Sequence, residues 1–390
     1  MKLSRRMNAI KPSGTIAMAE KAREIARSGR KILNLDVGEP DFDTPEHIKM
    51  AAIEALKSGF THYTSSLGII DLRRTIAEHL RIRKNLDVDP EKEIIITPGA
   101  KHAIFCACMA TLDPGEEVLI LAPSWPTHFT CVEAAGATPI EVPCGETYGI
   151  DEELLKMKIT DKTRMILINS PNNPTGGVLS VDDLRLIADL AEDHNLLILS
   201  DEIYDEIVYD GVESRSMLKF DNIRGNVIVV NGFSKTYAMT GWRLGYAIAN
   251  KDIIEAINRL QQATTTCPAS FVQMAGVAAL KGPTDCIKKM VEEFDRRRRY
   301  VVKALKEILG VSCAMPKGAF YVFPRFHSLK MSSFEISMRL LEEECVSTTP
   351  GSVFGECGEG HIRISYATSL EVLIKAIERI KKFTEKFSSM

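Results

Sequence analysis

Between residues 93 and 250, short runs of apolar and mostly β-branched residues alternate with segments of helical periodicity. The apolar runs predict strands at residues 93–97, 117–121, 138–142, 164–169, 196–200, 226–231 and 244–249. Helical patterns follow several of them, such as AKHAIFCACMATL after the first and VDDLRLIADLAEDHN after the fourth. Continuous apolar strands separated by helices predict an α/β fold, in which a mostly parallel seven-stranded sheet carries helices on both faces.

A chain of 390 residues is too long for one ordinary hydrophobic core, so two domains are expected. The strand-rich part predicts a large domain over residues 46–285. Beyond it the pattern changes to helix, short strands and helix again, which predicts a smaller α+β domain over residues 286–390. Residues 1–45 are expected to join that small domain, because NLDVGEPDFDTP is a turn-rich crossing segment.

The formal net charge of -3 argues against a general affinity for nucleic acid. The densest basic run, residues 296–299, follows EEFD in a helical pattern and is interpreted as a solvated helix face. No apolar stretch approaches the ~20 residues needed to span a membrane, and no apolar segment follows the basic N-terminus. Nine cysteines without a C-x-x-C pair indicate reduced thiols, a cytoplasmic location and no metal site.

The loops at the carboxyl ends of the strands are the expected ligand site in such a sheet. Asp201 ends an apolar run, where it either caps a following helix or pairs with a cationic ring nitrogen. Tyr204 either packs or donates to a ring oxygen. Asn173, in NSPNNPTG, either belongs to a plain turn or hydrogen-bonds a planar ligand.

Three further segments carry candidate binding residues. TPGAK places Gly99 at a helix start, where free N–H groups bind phosphate, although neither GxxxxGK[ST] nor GxGxxG occurs. Trp125 is either a core aromatic or a residue that stacks on a flat ring. Arg363 alternates with Ile362 and Ile364 and either faces solvent or reads a substrate carboxylate.

The segment SKTYAMTGWRLGY places two cations, Lys235 and Arg243, just past the end of a predicted core strand. A lysine that bonds to an aldehyde needs an aldehyde cofactor, and pyridoxal phosphate also offers a ring nitrogen, a phenolic oxygen and a phosphate. Lys235 matches the aldehyde, Asp201 matches the nitrogen and Arg243 matches the phosphate. These loops together predict a pyridoxal-phosphate enzyme.

Motifs along nearly the whole chain resemble those of the class I/II aminotransferases, which have pyridoxal-phosphate fold type I and include the aspartate aminotransferases. In chain order they are LDVGEPDFDTP, HYTSSLGIIDLR, TPGAKHAIF, NSPNNPTG, SDEIY, SKTYAMTGWRLGY, PKGAFYVFP and IRISYATS. The block around Lys235, with NNPTG and SDEIY before it, is the most specific part.

The resemblance implies the following roles. Lys235 is the imine lysine and the acid–base group, Asp201 keeps the ring nitrogen protonated, and Tyr204 acts with Asn173 on the phenolic oxygen. Trp125 stacks on the ring, and the remaining cofactor contacts come from Gly99, Ala100, Lys101, Ser234 and Arg243. Arg363 holds the substrate α-carboxylate, with Gly38, Asn173 and Trp125 nearby. Tyr63 reaches the phosphate of a neighbouring subunit, which implies a homodimer with shared sites.

Two positions depart from the common family pattern. Gly232 stands where a serine is frequent, so one phosphate hydroxyl is missing. Lys101 stands where many members have serine or threonine, and resembles the bacterial and archaeal aspartate-type subgroup, in which this lysine reads a distal carboxylate with help from Thr15. The alternative is that Lys101 is only a counter-charge for the phosphate.

The resemblance implies ping-pong transamination between L-aspartate and 2-oxoglutarate. Aromatic, prephenate and broad-specificity aminotransferases are the alternatives on the same scaffold, together with a C–S β-lyase. A transcription regulator built on this scaffold needs an N-terminal DNA-binding domain, for which residues 1–36 are expected to be too short. A dinucleotide-binding enzyme is disfavoured by the missing glycine fingerprint.

Overall fold

The computed structural model describes Met7, residues 15–145 and residues 147–388, without the side chains of residues 15–17 and 19. Its α-helices are α1 (Thr15–Arg27), α2 (Glu46–Lys57), α3 (Ile70–Lys84), α4 (Ala100–Thr111), α5 (Pro126–Ala135), α6 (Glu152–Lys158), α7 (Val181–Asp193), α8 (Lys251–Thr264), α9 (Ser270–Lys281), α10 (Asp285–Lys306), α11 (Ser333–Glu344) and α12 (Leu370–Ser388). Short 3₁₀ turns connect several of these elements.

Seven strands build the central sheet: β2 (Ile94–Thr97), β3 (Glu117–Ala122), β4 (Thr138–Pro143), β5 (Thr163–Asn169), β6 (Leu197–Asp201), β7 (Val227–Gly232) and β8 (Gly245–Ile248). The short strands are β1 (Leu33–Asn34), β9 (Val311–Ser312), β10 (Tyr321–Val322), β11 (Arg325–Phe326), β12 (Val346–Ser347), β13 (Thr349–Pro350) and β14 (Ile362–Ser365). All seven predicted strands are therefore present, and no end is shifted by more than one residue.

The central sheet has the order β2-β8-β7-β6-β5-β3-β4. Strand β8 runs antiparallel to β2 and β7, and the other neighbouring pairs are parallel. Every residue of β6, β7 and β8 is buried, as expected for a sheet covered on both faces. The predicted fold class is confirmed.

Alternation along each strand divides the apolar residues between the two faces of the sheet. In β2, Ile95 packs into the core on one face, whereas Ile94 and Ile96 pack into the core on the other. This division follows from the two-residue period of a strand. Because both faces are apolar, polar side chains of these strands collect at the strand ends, which is where the site lies.

The C-terminal part contains small sheets. Strand β14 pairs antiparallel with β10 and β13, and β11 pairs antiparallel with β9. Strand β1, from the N-terminal part, pairs parallel with β12. This pairing agrees with the predicted association of the two ends of the chain, although the domain boundaries at residues 46 and 285 stay a prediction.

The basic run on α10 differs from its predicted solvated face. Arg297 and Arg298 are 6% and 0% exposed. Arg297 donates to Asp41 over 2.7 Å, and Arg298 donates to the carbonyl of Pro316 over 2.6 Å and to Asp210 over 2.9 Å. The prediction is wrong for these two residues, because helical periodicity does not reveal distant carboxylates that can pair with buried cations.

No helix of the described residues is long and apolar enough to cross a membrane. All nine cysteines are free thiols, and Cys106 and Cys108 are buried in α4. Among the described residues, no cluster of histidine, cysteine and acidic side chains has the composition of a metal site.

Candidate active site

A cavity of about 570 Å³ opens at the carboxyl ends of the central strands. Strands β5, β6 and β7 end side by side there, with Asn169 directly paired to Asp201 in the register. The cavity is lined by eleven of the predicted site residues: Gly38, Ala100, Lys101, Trp125, Asn173, Asp201, Tyr204, Ser234, Lys235, Arg243 and Arg363. These residues come from segments spread over more than 300 positions of the chain, and the fold brings them together.

Asp201 is the last residue of β6 and is only 3% exposed. The segment after it forms turns rather than a helix, so the helix-cap interpretation is wrong. Its Oδ1 accepts from the N–H of Ile203 over 3.2 Å, and its Oδ2 lies 3.1 Å from Nε2 of His128. A buried carboxylate with so few donors retains capacity to hold a cation on its cavity side.

His128 is a site residue that the sequence did not reveal. It is fully buried on α5, and its Nδ1 lies 2.8 Å from Oγ of Ser124. A carboxylate only accepts, so His128 donates to Asp201 through Nε2–H, and in the neutral imidazole Nδ1 accepts from Ser124. The chain Ser124–His128–Asp201 fixes the orientation of the carboxylate.

Lys235 follows β7 and extends its amine into the cavity. The amine donates to the carbonyl of Gly38 and lies 5.9 Å from the ring centroid of Tyr204. Burial, together with repulsion from Arg363 and Arg243, lowers the pKa of Lys235 to about 8. A lysine with this pKa has a reactive neutral fraction at physiological pH, which an ordinary surface lysine lacks.

Arg363 is 7% exposed in β14, so the interpretation as a solvent-facing arginine is wrong. Its guanidinium donates to Oδ1 of Asn173 over 3.0 Å, to Oγ1 of Thr349 over 3.2 Å and to the carbonyl of Asp36. Its Nε is buried without a hydrogen-bond partner among the described residues. An anchored guanidinium with unused donor capacity suits a carboxylate ligand.

Asn173 is oriented from its other side by the strand end beneath it. Its N–H donates to Oδ1 of Asn169 over 2.9 Å, and Nδ2 of Asn169 donates to the carbonyl of Asp201 over 3.0 Å. Asn169 lines the cavity and was not predicted as a site residue. The turn-rich segment NSPNNPTG is therefore held to the sheet by side-chain amides rather than by turn geometry alone.

A cradle for an anion lies at the start of α4. Gly99 has φ +83°, and a Cβ on it would meet Nη2 of Arg243 at 2.4 Å. The helix therefore begins with no side-chain cap, and its first N–H groups lie beside a guanidinium. Ser234, buried next to Lys235, lines the same cavity.

Gly232 occupies the position where the family pattern has a frequent serine. A Cβ on Gly232 would lie 3.0 Å from both the Cα of Gly245 and the carbonyl oxygen of Leu244. The missing hydroxyl therefore accompanies a close approach of β7 and β8, which a side chain at this position would disturb.

The two aromatic residues predicted for the site, Tyr204 and Trp125, have different surroundings. Tyr204 is 3% exposed, and its hydroxyl lies 2.9 Å from that of Tyr321, a cavity residue that was not predicted. The pKa of Tyr204 is raised well above its ordinary value, mainly by burial and secondly by the nearby Tyr321. Trp125 is half-buried, and the amine of Lys101 lies 4.8 Å from its ring centroid.

Two predicted residues with described surroundings, Gly99 and Tyr63, are not among those that line the cavity, although Gly99 lies against Arg243, which does line it. Tyr63 is 87% exposed, and the side chain of Thr15, the first residue of α1, lies outside the described part of the chain. The cavity also includes Thr240 and Ile203, which no sequence pattern indicated. The binding roles of all these residues stay predictions.

The cavity residues fit pyridoxal phosphate by their donor and acceptor chemistry. The amine of Lys235, which can be neutral, matches the aldehyde. The buried carboxylate of Asp201 matches the ring nitrogen, and Arg243 beside the start of a helix matches the phosphate. The sequence model of the family "Aminotransferase class I and II" matches residues 30–380. The chain belongs to the class I and II aminotransferases. It is a pyridoxal-phosphate-dependent transferase that carries out transamination.

Relatives of this aminotransferase are similar over almost its whole length. The aspartate aminotransferase of Pyrococcus abyssi is 43% identical, over 98% of each chain. The aromatic-amino-acid aminotransferase 2 of Thermococcus litoralis is also 43% identical, again over 98% of each chain. A solved structure of Thermus thermophilus aspartate aminotransferase with maleate is 40% identical and has a TM-score of 0.93, covering 98% of this chain and 99% of that one.

Proposed function

We propose that this aminotransferase transfers the amino group of L-aspartate to 2-oxoglutarate, giving oxaloacetate and L-glutamate. The observation that carries the proposal is the pair of cations in one cavity, Arg363 and Lys101. Arg363 suits the α-carboxylate and Lys101 suits the distal carboxylate of a dicarboxylic amino acid. The aspartate aminotransferases among the relatives support this reading, as does maleate, a four-carbon dicarboxylate, in the Thermus enzyme.

Bound pyridoxal phosphate supplies an electron-accepting ring that stabilises the charge left when the substrate α-carbon loses its proton. The chain supplies the rest. Lys235 would accept that proton on its Nζ and hold it as an ammonium until it is donated back, as an amine with a pKa of about 8 can do. Asp201, oriented by His128, would keep a proton on the ring nitrogen. Asn173 and Tyr204 would bind the phenolic oxygen.

Anion binding divides between two ends of the cavity. Gly99, Ala100, Ser234 and Arg243 would hold the phosphate, and Trp125 would pack on the ring. Arg363 would hold the substrate α-carboxylate, with Gly38 nearby, so that the α-carbon is oriented toward Lys235. With this orientation a single residue, Lys235, can both remove the proton and donate it back.

The assembly proposed is a homodimer with shared sites. Tyr63 is 87% exposed, and the apolar residues Met50, Ile53 and Leu56 on nearby α2 are 41%, 39% and 45% exposed. Such a surface suits burial against a second copy, with Tyr63 reaching the partner's phosphate. Light scattering of the purified protein is expected to give twice the mass of one chain, and a single-chain mass would contradict the shared site.

We also propose that residues 46–285 form the large domain, that residues 1–45 and 286–390 form the small one, and that the enzyme is cytoplasmic. The pairing of β1 with β12 supports a small domain that is formed by both ends of the chain. The nine free thiols support the cytoplasmic location.

Replacing Lys101 by serine tests the substrate assignment. The variant is expected to lose about 10- to 100-fold in kcat/KM with aspartate, because a charge-assisted hydrogen bond to the distal carboxylate is lost. With phenylalanine, which has no distal carboxylate, kcat/KM of the variant is expected to fall by less than about threefold. The measurement is initial rate against donor concentration with saturating 2-oxoglutarate.

Lys156→Ser serves as the matched control, since Lys156 is an exposed lysine of α6 that does not line the cavity. Equal losses with aspartate and phenylalanine in Lys101→Ser would contradict the distal-carboxylate role. They would favour the alternative in which Lys101 is a counter-charge for the phosphate.

An aromatic amino donor is the second candidate. The Thermococcus litoralis relative is as similar as the Pyrococcus abyssi one. A pocket beside the cavity is also lined in part by Met18, Trp125 and Phe354, which suit an aromatic side chain. No comparable feature favours a prephenate aminotransferase or a C–S β-lyase.

A further inference from the structure

A second pocket adjoins the cavity and shares Lys101, Trp125 and Arg363 with it. Because Arg363 suits the α-carboxylate and lines both pockets, the residues of the second pocket are within reach of the side chain of a substrate bound there. Those residues include Asp36, whose charge is opposite to that of Lys101. The second pocket therefore carries groups of both charges beside the proposed α-carboxylate site.

The backbone of Asp36 is firmly held. Its carbonyl accepts from Nη2 of Arg363, and on its N-terminal side Leu35 donates to the carbonyl of Ser347 and accepts from the N–H of Ser365, both over 2.8 Å. These bonds tie Asp36 to the same strand, β14, that carries Arg363. The backbone from which the Asp36 side chain extends is thus fixed relative to the proposed α-carboxylate site.

The side chain of Asp36 has unused hydrogen-bonding capacity. Its Oδ1 is buried and has no hydrogen-bond partner among the described residues. A buried carboxylate oxygen without a donor is destabilising, and native structures rarely retain one without a functional reason. Asp36 also forms no ion pair with any side chain of the described residues.

Lys101 does not neutralise Asp36 in this arrangement. Its amine lies over the ring of Trp125, 4.8 Å from the centroid, and it makes no ion pair within 4.0 Å with any described acidic residue. A pocket with an unpaired cation and an unpaired anion can bind two kinds of side chain. The cation suits a distal carboxylate, and the anion suits a distal O–H or N–H donor.

We propose that Asp36 is a specificity-determining residue, which selects substrates whose side chain ends in a hydrogen-bond donor such as a phenol. The proposal rests on the transamination function and deepens it. The ping-pong reaction uses one site for both substrates in turn. Lys101 reads the dicarboxylic partner, and Asp36 reads an aromatic or other partner with a distal O–H or N–H.

Tyrosine and phenylalanine test the proposal, because they differ only in the phenolic hydroxyl. The wild-type enzyme is expected to prefer tyrosine by about tenfold or more in kcat/KM, the effect of one hydrogen bond to a charged acceptor. In Asp36→Ala the ratio is expected to fall to about one. Asp36→Asn, which keeps the shape and an accepting oxygen, is expected to keep a preference of about two- to threefold.

Equilibrium binding separates this proposal from the proposed function. Calorimetry of the holoenzyme with 3-(4-hydroxyphenyl)propionate and with 3-phenylpropionate gives the same comparison without turnover. The expected wild-type ratio of Kd values is again about tenfold, and Asp36→Ala is expected to abolish it. The dicarboxylate maleate is expected to bind Asp36→Ala a few-fold more tightly, because a repelling charge is removed.

The control is Asp182→Ala, which removes the same charge from an exposed position of α7 and is expected to leave both ratios unchanged. Wild-type and Asp36→Ala ratios that agree within twofold would overturn the Asp36 proposal. Absence of turnover with aspartate, tyrosine and phenylalanine alike would instead contradict the proposed function, while the binding ratio would still decide the role of Asp36.

Discussion

Replacing Lys235 by alanine is expected to lower the rate of transamination of L-aspartate at least about 10³-fold, since a positioned acid–base group alone contributes about 10²- to 10⁴-fold. In the proposed function, Lys235 is both the group that bonds to the cofactor aldehyde and the group that moves the proton. Lys101, the other lysine that lines the cavity, lies over Trp125 and cannot take its place. Both functions are therefore lost in one substitution.

Cofactor binding is expected to survive this change, because the anion cradle at Gly99 and Arg243 is untouched. Stopped assays over hours give the residual rate, and absorbance after gel filtration gives the retained cofactor. Lys156→Ala controls for the loss of a lysine at the surface. A Lys235→Ala rate within tenfold of the wild type would contradict the assignment.

Replacing Asp201 by alanine is the second large effect. Asp201 is buried and held by His128, so its proposed partner, a protonated ring nitrogen, would lose its only counter-charge at that position. Removing one member of a buried charge pair costs about 3–5 kcal/mol, which corresponds to about 10²- to 10³-fold or more in kcat/KM. Cofactor affinity is expected to fall in the same variant.

Asp201→Glu retains the charge and is expected to recover part of the activity, which separates the loss of charge from a loss of folding. The measurements are kcat/KM with aspartate and the Kd of pyridoxal phosphate by absorbance titration. An Asp201→Ala variant with both values within tenfold of the wild type would show that the ring nitrogen has no need of this carboxylate.

Much of this fold could be predicted from local patterns. Most strands of the central sheet contain a continuous apolar run that can be recognised without its neighbours, whereas the edge strand β4 (TPIEVP) is mixed and only partly buried. Asp201 and Lys235 could be predicted as site residues because each follows such a run. Chain position alone therefore placed them at the carboxyl edge of the sheet, where ligands bind.

The residues that were missed act through partners far away in the chain. His128 contacts Asp201 across 73 positions, and Tyr321 contacts Tyr204 across 117. The local sequence of either residue does not identify its distant partner. His128 stands three positions after Trp125 in a segment already identified as a site loop, and that proximity is the one signal that could have pointed to it.

The wrong interpretations have the same origin. Alternation in β14 correctly separates Arg363 from Ile362 and Ile364, but it does not say that the opposite face is also covered. On that face Arg363 donates a hydrogen bond to Asn173, which lies 190 positions earlier in the chain. Arg297 on α10 likewise donates to Asp41, 256 positions earlier. Periodicity gives the direction of a side chain, whereas tertiary packing decides whether that direction is solvent.

The most direct test of the central claim is an amino-donor panel with 2-oxoglutarate, run on the purified protein with pyridoxal phosphate and followed through the absorbance of the cofactor. Aspartate is expected to convert the cofactor band well ahead of phenylalanine and alanine. A preference for aromatic donors over aspartate would keep the cofactor chemistry and contradict the aspartate assignment. No cofactor band at all would contradict the active site described above.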